Sequence, residues 1–92
     1  MIDSHCHLDG ERFGNDLAAV LERARAAGVT RMICVGSGED LTSARDSLAL
    51  AKRETDVYAT VGVHPHDVAK MSEADWTELE ALALEARDHA RR

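Results

Sequence analysis

Residues 57–63 read VYATVGV, and residues 64–67 continue as HPHD. The first run is apolar, small or β-branched throughout, which is typical of a strand buried on both faces of a parallel sheet. It stops at the loop around Pro65, whose ring fixes the local backbone. A strand of this kind lies between two layers of helices, so the stretch predicts an α/β fold.

Three amphipathic helices are predicted around this strand. The first covers residues 15–27 and ends before Gly28, which is typical of a left-handed helix terminus. The second covers residues 40–51 with Asp40 as a candidate N-cap, and the third begins at a Ser72–Asp75 capping box. Their predicted apolar stripes are Leu17, Val20, Leu21 and Ala24; Leu41, Ala44, Leu48 and Ala51; and Trp76, Leu79, Ala83 and Ala86, with Trp76 and its stripe expected in the core.

Two further strands are predicted at residues 1–7 and at residues 31–35 (RMICV), the second containing Cys34 as a core residue. We expect Gly36-Ser37-Gly38 to close this second strand in a tight turn, because it lacks the glycine spacings of phosphate-binding loops. The resulting β-α-β-α-β-α order indicates right-handed βαβ units and a parallel sheet. A (β/α)8 barrel needs ~250 residues and a doubly wound sheet ~120, so the chain is expected to be part of a larger fold.

Composition narrows the class of protein. The 92 residues carry a net charge of −6 and two cysteines. The acidic balance argues against electrostatic adhesion to nucleic acid or anionic lipid, although a phosphate substrate bound through a metal stays open. Since no apolar run approaches the roughly 18 residues of a membrane span, we predict a cytoplasmic protein with reduced thiols and no membrane partner.

His5 and His7 lie two residues apart at the end of the first predicted strand, so both imidazoles face the same side. Neutral imidazole binds Zn²⁺ and other first-row divalent ions, so the pair predicts half of a metal site. The alternative is two surface histidines without an ion. Cys6 points to the opposite face as a buried filler, and Asp3 and Asp9 are candidate partners for the two rings.

His64 follows the third strand and is suited to donate a hydrogen bond to a substrate oxygen or phosphate. His66, two residues further on, is a second candidate for substrate binding. An ordinary loop position is the alternative for both residues. His89 lies apart from them in an Arg-rich helical tail.

Three segments taken together resemble the TatD family of metal-dependent hydrolases: MIDSHCHLD (1–9), ARAAGVTRMICVGSG (24–38) and VGVHPHD (61–67). The resemblance implies that residues 1–92 are the N-terminal three βα units of a (β/α)8 barrel, here incomplete. It implies one or two divalent ions (Mg, Mn or Zn) and hydrolysis of DNA phosphodiester bonds, often as a 3′-5′ exonuclease. It matches His5 and His7 to the family's first two metal ligands, and His64 to the histidine of its GVHP loop.

The resemblance places the family's other site residues, a glutamate, two histidines and an aspartate, beyond Arg92. We therefore expect the chain to be inactive alone. In the complete site, bound ions polarise the phosphoryl group and lower the pKa of bound water toward ~7. Two alternatives stay open: a non-catalytic βα module that binds an anion or small ligand, and a fragment that completes a barrel by self-association.

Overall fold

The structure, a computed structural model, describes residues 1–8, 14–38 and 40–91. Its strands form one parallel sheet in the order β1-β2-β3, and a helix follows each strand. The α/β class and the order of elements are confirmed. The bounds are β1 Ile2–Cys6, α1 Leu17–Ala26, β2 Arg31–Gly38, α2 Thr42–Arg53, β3 Val57–Val63 and α3 Glu73–Ala90, with 3₁₀ segments at Gly14–Asp16 and Pro65–Lys70.

The helix ends follow the local signals with two adjustments. A 3₁₀ turn precedes α1, so the helix begins two residues later than its apolar spacing predicts. At α2 the N-cap position is Leu41, and Asp40 instead accepts a hydrogen bond from the amide of Thr42 at 2.9 Å. The α3 capping box is confirmed, because Ser72 and Asp75 each accept a hydrogen bond from the other's backbone amide.

The prediction that β2 closes at Gly36 is wrong. The strand continues through Gly38, which is level with Val63 of β3. A Cβ atom on Gly36 would clash with the carbonyl oxygen of Thr60 and lie 2.8 Å from the Cα of Ala44. This glycine therefore serves the close approach of α2 to the sheet, a role that glycine takes inside strands as well as in turns.

The core lies between one face of the sheet and the helices α1 and α2. Cys34 and Val57 are fully buried there, as predicted for Cys34. The predicted stripe of α2 is buried, and that of α1 packs on the core around Leu21. The cluster contains Leu8, Leu21, Met32, Cys34, Leu50, Ala51 and Val57.

The second face of the sheet is more open than the sequence predicts. Of the seven residues of β3 only Val57 is buried, and Thr60 is exposed, so the expectation of burial on both faces is wrong. An open cleft of about 370 Å³ lies on this second face. In the described part of the chain, α1 and α2 cover only the core side of the sheet. The residues lining the cleft are Ile2, Arg31, Ile33, Tyr58 and Ala90.

Helix α3 packs through a stripe that shares only Leu79 and Ala86 with the predicted one. Trp76 is 44% exposed, so its assignment to the core is wrong. No residue of α3 is buried. Among the helices described here, none combines the length and apolar character of a bilayer crossing. The half-buried face of α3 consists of Asp75, Glu78, Leu79, Leu82, Ala86 and His89.

Candidate metal centre and the loop after the third strand

The end of β1 contains a β-bulge. Asp3 is paired with Met32 and Cys6 with Cys34, so β1 takes three steps where β2 takes two. The carboxylate of Asp3 accepts a hydrogen bond from the backbone amide of His5 at 3.1 Å. Asp3 thus stabilises the bulged backbone, whereas the sequence predicts Asp3 as a candidate partner for an imidazole ring. Asp9, the other candidate partner, lies outside the described residues.

His5 and His7 are exposed, while Cys6 between them is half-buried against the core. The ring centroids of the two histidines lie 5.0 Å apart, and the ring planes are inclined at 75°. With a Zn–N bond of ~2.1 Å and the nitrogen about 1 Å from the centroid, two imidazoles at a tetrahedral angle have centroids about 5 Å apart. The separation of the rings therefore fits a shared ion, and their role as ligands stays a prediction.

The described residues supply only part of a coordination sphere. Within residues 1–8, 14–38 and 40–91, no group of three or more His, Cys, Asp or Glu side chains is placed to hold one ion. A catalytic zinc site has three protein ligands and one open position. Two imidazoles therefore form half of such a site and leave the other positions to further donors.

His64 stands directly after β3, and its backbone amide donates to the carbonyl of Gly38 at 2.9 Å. Its Nδ1 accepts a hydrogen bond from the backbone amide of His66 at 3.2 Å. In the neutral ring this bond leaves the proton on Nε2, which is a donor. The rings of His64 and His66 stack with centroids 4.9 Å apart and planes inclined at 15°. Both residues are exposed, so the Nε2–H group is suited to meet an anion.

The two histidine pairs share the carboxyl edge of the sheet without touching. Strand β2 separates β1 from β3. Cys6 of β1 pairs with Cys34 of β2, whereas Val63 of β3 pairs with Gly38, which lies four residues further along β2. With strands ~4.8 Å apart and ~3.3 Å per residue, the Cα atoms of His7 and His64 are on the order of 15 Å apart. A single ligand that contacts both pairs must span this distance.

His89 has a structural role that the sequence analysis missed. It is half-buried, and its Nε2 lies 3.0 Å from the carbonyl oxygen of Ala51 in the last turn of α2. The contact joins α3 to α2. The sequence contains a signal for this role, because His89 repeats at helical spacing with Leu82 and Ala86. These positions fit one face of a helix as well as the predicted stripe does.

Two ion pairs and one helix start lower the pKa values of three carboxylates, Asp56, Glu78 and Asp40. Two hydrogen bonds from the Arg25 guanidinium, at 2.7 and 2.8 Å, lower the pKa of Asp56. A hydrogen bond from Arg45 likewise lowers the pKa of Glu78, and the backbone amide of Thr42 lowers that of Asp40. These groups stabilise contacts between elements and lie outside the two histidine pairs.

Parallel βα units with an exposed histidine pair at the end of the first strand define a class of α/β proteins with a candidate metal centre at the carboxyl edge of the sheet. Within that class, residues 2–90 match the model of the family described as TatD related DNase, and the chain belongs to this family.

The curated relatives extend well beyond the matched region. The uncharacterized metal-dependent hydrolase TatD of Mycobacterium tuberculosis is 39% identical over 89 residues, covering 95% of this chain and 33% of the relative. The 3'-5' ssDNA/RNA exonuclease TatD of Cronobacter sakazakii is 34% identical over 87 residues, covering 95% and 32%. The uncharacterized metal-dependent hydrolase YjjV of Escherichia coli is 42% identical over 86 residues, covering 94% and 32%. The chain thus spans about a third of the length of these relatives.

Proposed function

We propose that residues 1–92 form the first three βα units of a cytoplasmic (β/α)8 hydrolase that cleaves DNA phosphodiester bonds with one or two divalent ions. The family match supports this, and so do relatives named as metal-dependent hydrolases and as 3'-5' ssDNA/RNA exonucleases. The observation that carries the proposal is the 5.0 Å separation of the His5 and His7 rings at the exposed end of β1. The chain alone is inactive in this proposal, because its described residues bring no third ligand side chain to His5 and His7.

In this proposal His5 and His7 each give one imidazole nitrogen to the same ion. Asp3 supports them by holding the backbone amide of His5 at 3.1 Å, which keeps the bulged strand end in place. Imidazole nitrogen favours Zn²⁺ over Mg²⁺, so we expect the pair to bind Zn²⁺ more tightly. When bound, a divalent ion supplies Lewis-acid polarisation of a phosphoryl oxygen.

His64 is proposed to contact the substrate. The bond to Nδ1 from the amide of His66 leaves Nε2–H as a donor, which suits a phosphate oxygen. His66 stacks against this ring and provides a second contact. The distance from His64 to His5 and His7 favours a polymeric substrate, because neighbouring phosphates of one strand can reach separate contacts. The net charge of −6 provides no general attraction for DNA, so recognition depends on the ion and on these contacts.

Calorimetric titration of Zn²⁺ and Mn²⁺ into the 92-residue chain at pH 7 tests the ligand assignment. We expect either His5→Ala or His7→Ala to weaken binding by about tenfold or more, since each removes one of two coordinating nitrogens. The matched control is the double variant His64→Ala/His66→Ala, which removes two exposed imidazoles with the same spacing. We expect this control to change the affinity by less than about twofold.

The result that would overturn the assignment is an unchanged affinity in both single variants. An equal loss in the control variant would also overturn it, because binding would then reflect imidazole content and not this pair. Self-association of the chain stays a prediction.

A further inference from the structure

The fold brings the two cysteines of the chain together. Cys6 and Cys34 lie 28 residues apart in sequence and are Cα partners on the adjacent strands β1 and β2. Neighbouring strands are ~4.8 Å apart, and disulfides join residues whose Cα atoms are ~4.4–6.8 Å apart. Both side chains pack in the same core cluster, Cys34 fully buried and Cys6 half-buried, and both carry thiols.

Each sulfur contacts the backbone close in sequence to the other cysteine. The Cys6 thiol donates to the carbonyl oxygen of Ile33 at 3.3 Å, one residue before Cys34. The Sγ of Cys34 accepts a hydrogen bond from the backbone amide of Leu8 at 3.4 Å, two residues after Cys6. It also lies 3.3 Å from the hydroxyl oxygen of Ser47. Both sulfurs therefore lie on the core side of the sheet, each against the backbone within two residues of the other cysteine.

We propose that Cys6 and Cys34 are an oxidisable pair that forms an intramolecular disulfide when a small-molecule disulfide such as oxidised glutathione is the oxidant. The more exposed Cys6 reacts first. Its sulfur bonds to one sulfur of the oxidant as the oxidant's S–S bond breaks, and one thiol leaves with the Cys6 proton. The Cys34 sulfur then bonds to the Cys6 sulfur, and the second thiol leaves with the Cys34 proton. Two protein thiols are oxidised by two electrons, and the oxidant is reduced to two thiols.

The bridge joins β1 to β2 at the end of the bulge between Asp3 and Cys6, with His5 and His7 on either side of Cys6 in sequence. It replaces the present contacts of the two sulfurs with Ile33 and Leu8 by one covalent link. The proximity of the two cysteines follows from the register of the strands and the sulfur contacts alone and is independent of the metal assignment.

The test is equilibration of the native chain at low concentration in buffers of reduced and oxidised glutathione, with acid quenching, thiol titration and intact mass. Tryptic residues 1–12 and 32–45 hold the two cysteines, so a linked peptide identifies the bridge. The same equilibration in urea gives the reference for an unfolded chain. Because the fold already brings the two residues together, we expect the constant for bridge formation to be about tenfold or more larger in buffer than in urea.

Single-cysteine variants show which of the two sulfurs reacts with oxidised glutathione. We expect Cys34→Ala to take up one glutathione at Cys6, and Cys6→Ala to stay unmodified because Cys34 is buried. Circular dichroism checks that each variant is folded, and if one is not, the comparison of buffer with urea for the native chain decides. The proposal is overturned if the constant in buffer is equal to or below that in urea, if oxidation stops at glutathione on Cys6, or if only intermolecular bridges form.

Discussion

Helices α2 and α3 flank the same strand and run side by side, but the sheet holds them in different ways. Five residues of α2 are buried, including Leu48 and Leu50, and its start packs closely on Gly36. No residue of α3 is buried, although its capping box is complete and it is the longer helix. The links from α3 to α2 are polar: Arg45 with Glu78, Lys52 with Glu85 at 2.6 Å, and His89 with the carbonyl of Ala51.

The contrast shows that the formation of a helix and its attachment to the fold are separate matters. Local signals such as a cap define where α3 begins, and they act within one turn. Attachment depends on apolar area removed from water, which needs a neighbouring apolar surface. In the described part of the chain α3 packs mainly on β3 and along the polar side of α2, so its apolar residues find little to bury against.

The largest expected effect comes from shortening one leucine in each helix. Leu50 of α2 is 3% exposed and Leu84 of α3 is 47% exposed. We expect Leu50→Ala to lower the free energy of unfolding by about 3 kcal/mol, because it leaves a cavity in the core. We expect Leu84→Ala to cost less than about 0.5 kcal/mol. Urea unfolding followed by circular dichroism measures both, and equal losses would show that α3 is anchored as firmly as α2.

A methyl group on Gly36 tests the close contact of α2 with the sheet. The new Cβ would meet the backbone atoms of Thr60 and Ala44, which cannot rotate away as a side chain would. We expect Gly36→Ala to cost about 2 kcal/mol in the free energy of unfolding, through displacement of α2. Gly62→Ala is the matched control on β3, since nothing lies within 4 Å of its Cβ position. A small effect at Gly36, of the size seen at Gly62, would mean that α2 has room to move.

The sequence predicted the elements of the fold better than their burial. The bounds of β3, residues 57–63, and the Ser72–Asp75 cap depend on local chemistry, which a sequence displays. The half-buried face of α3 could not be chosen in this way. Stripes through Trp76 and through Leu82 both repeat at helical spacing, and only the position of α2 decides between them. The sequence predicts a turn at Gly36, because the packing of α2 on this residue is a tertiary contact that no local pattern displays.

The same distinction applies to the candidate site, where local patterns predict some features and contacts between elements decide the others. The alternation of side chains in a strand predicts that His5 and His7 share a face, and the structure has their rings close together. The β-bulge and the role of Asp3 in it depend on the register between β1 and β2, which no local pattern displays. The hydrogen bond that sets the proton of His64 on Nε2 depends on the conformation of the loop at Pro65.

The smallest expected effect concerns the ion pairs that attach α3. The Arg45 guanidinium lowers the pKa of Glu78 below its ordinary value of 4.5, so the pair contributes to stability above that pH and is lost as the pH falls through the lowered pKa. At pH 7 we expect Glu78→Gln to speed hydrogen exchange of α3 amides by about twofold without affecting α2, since exposed pairs contribute little.

Raising NaCl from 0.1 to 1 M shortens the screening length from ~10 to ~3 Å and so weakens the exposed ion pairs. We expect this also to speed hydrogen exchange of the α3 amides. The matched control is Glu80→Gln, which changes an exposed carboxylate on α3 with no ion pair among the described residues. If α2 amides exchange faster to the same extent, the two helices unfold as one unit, and the separation between formation and attachment of α3 does not hold.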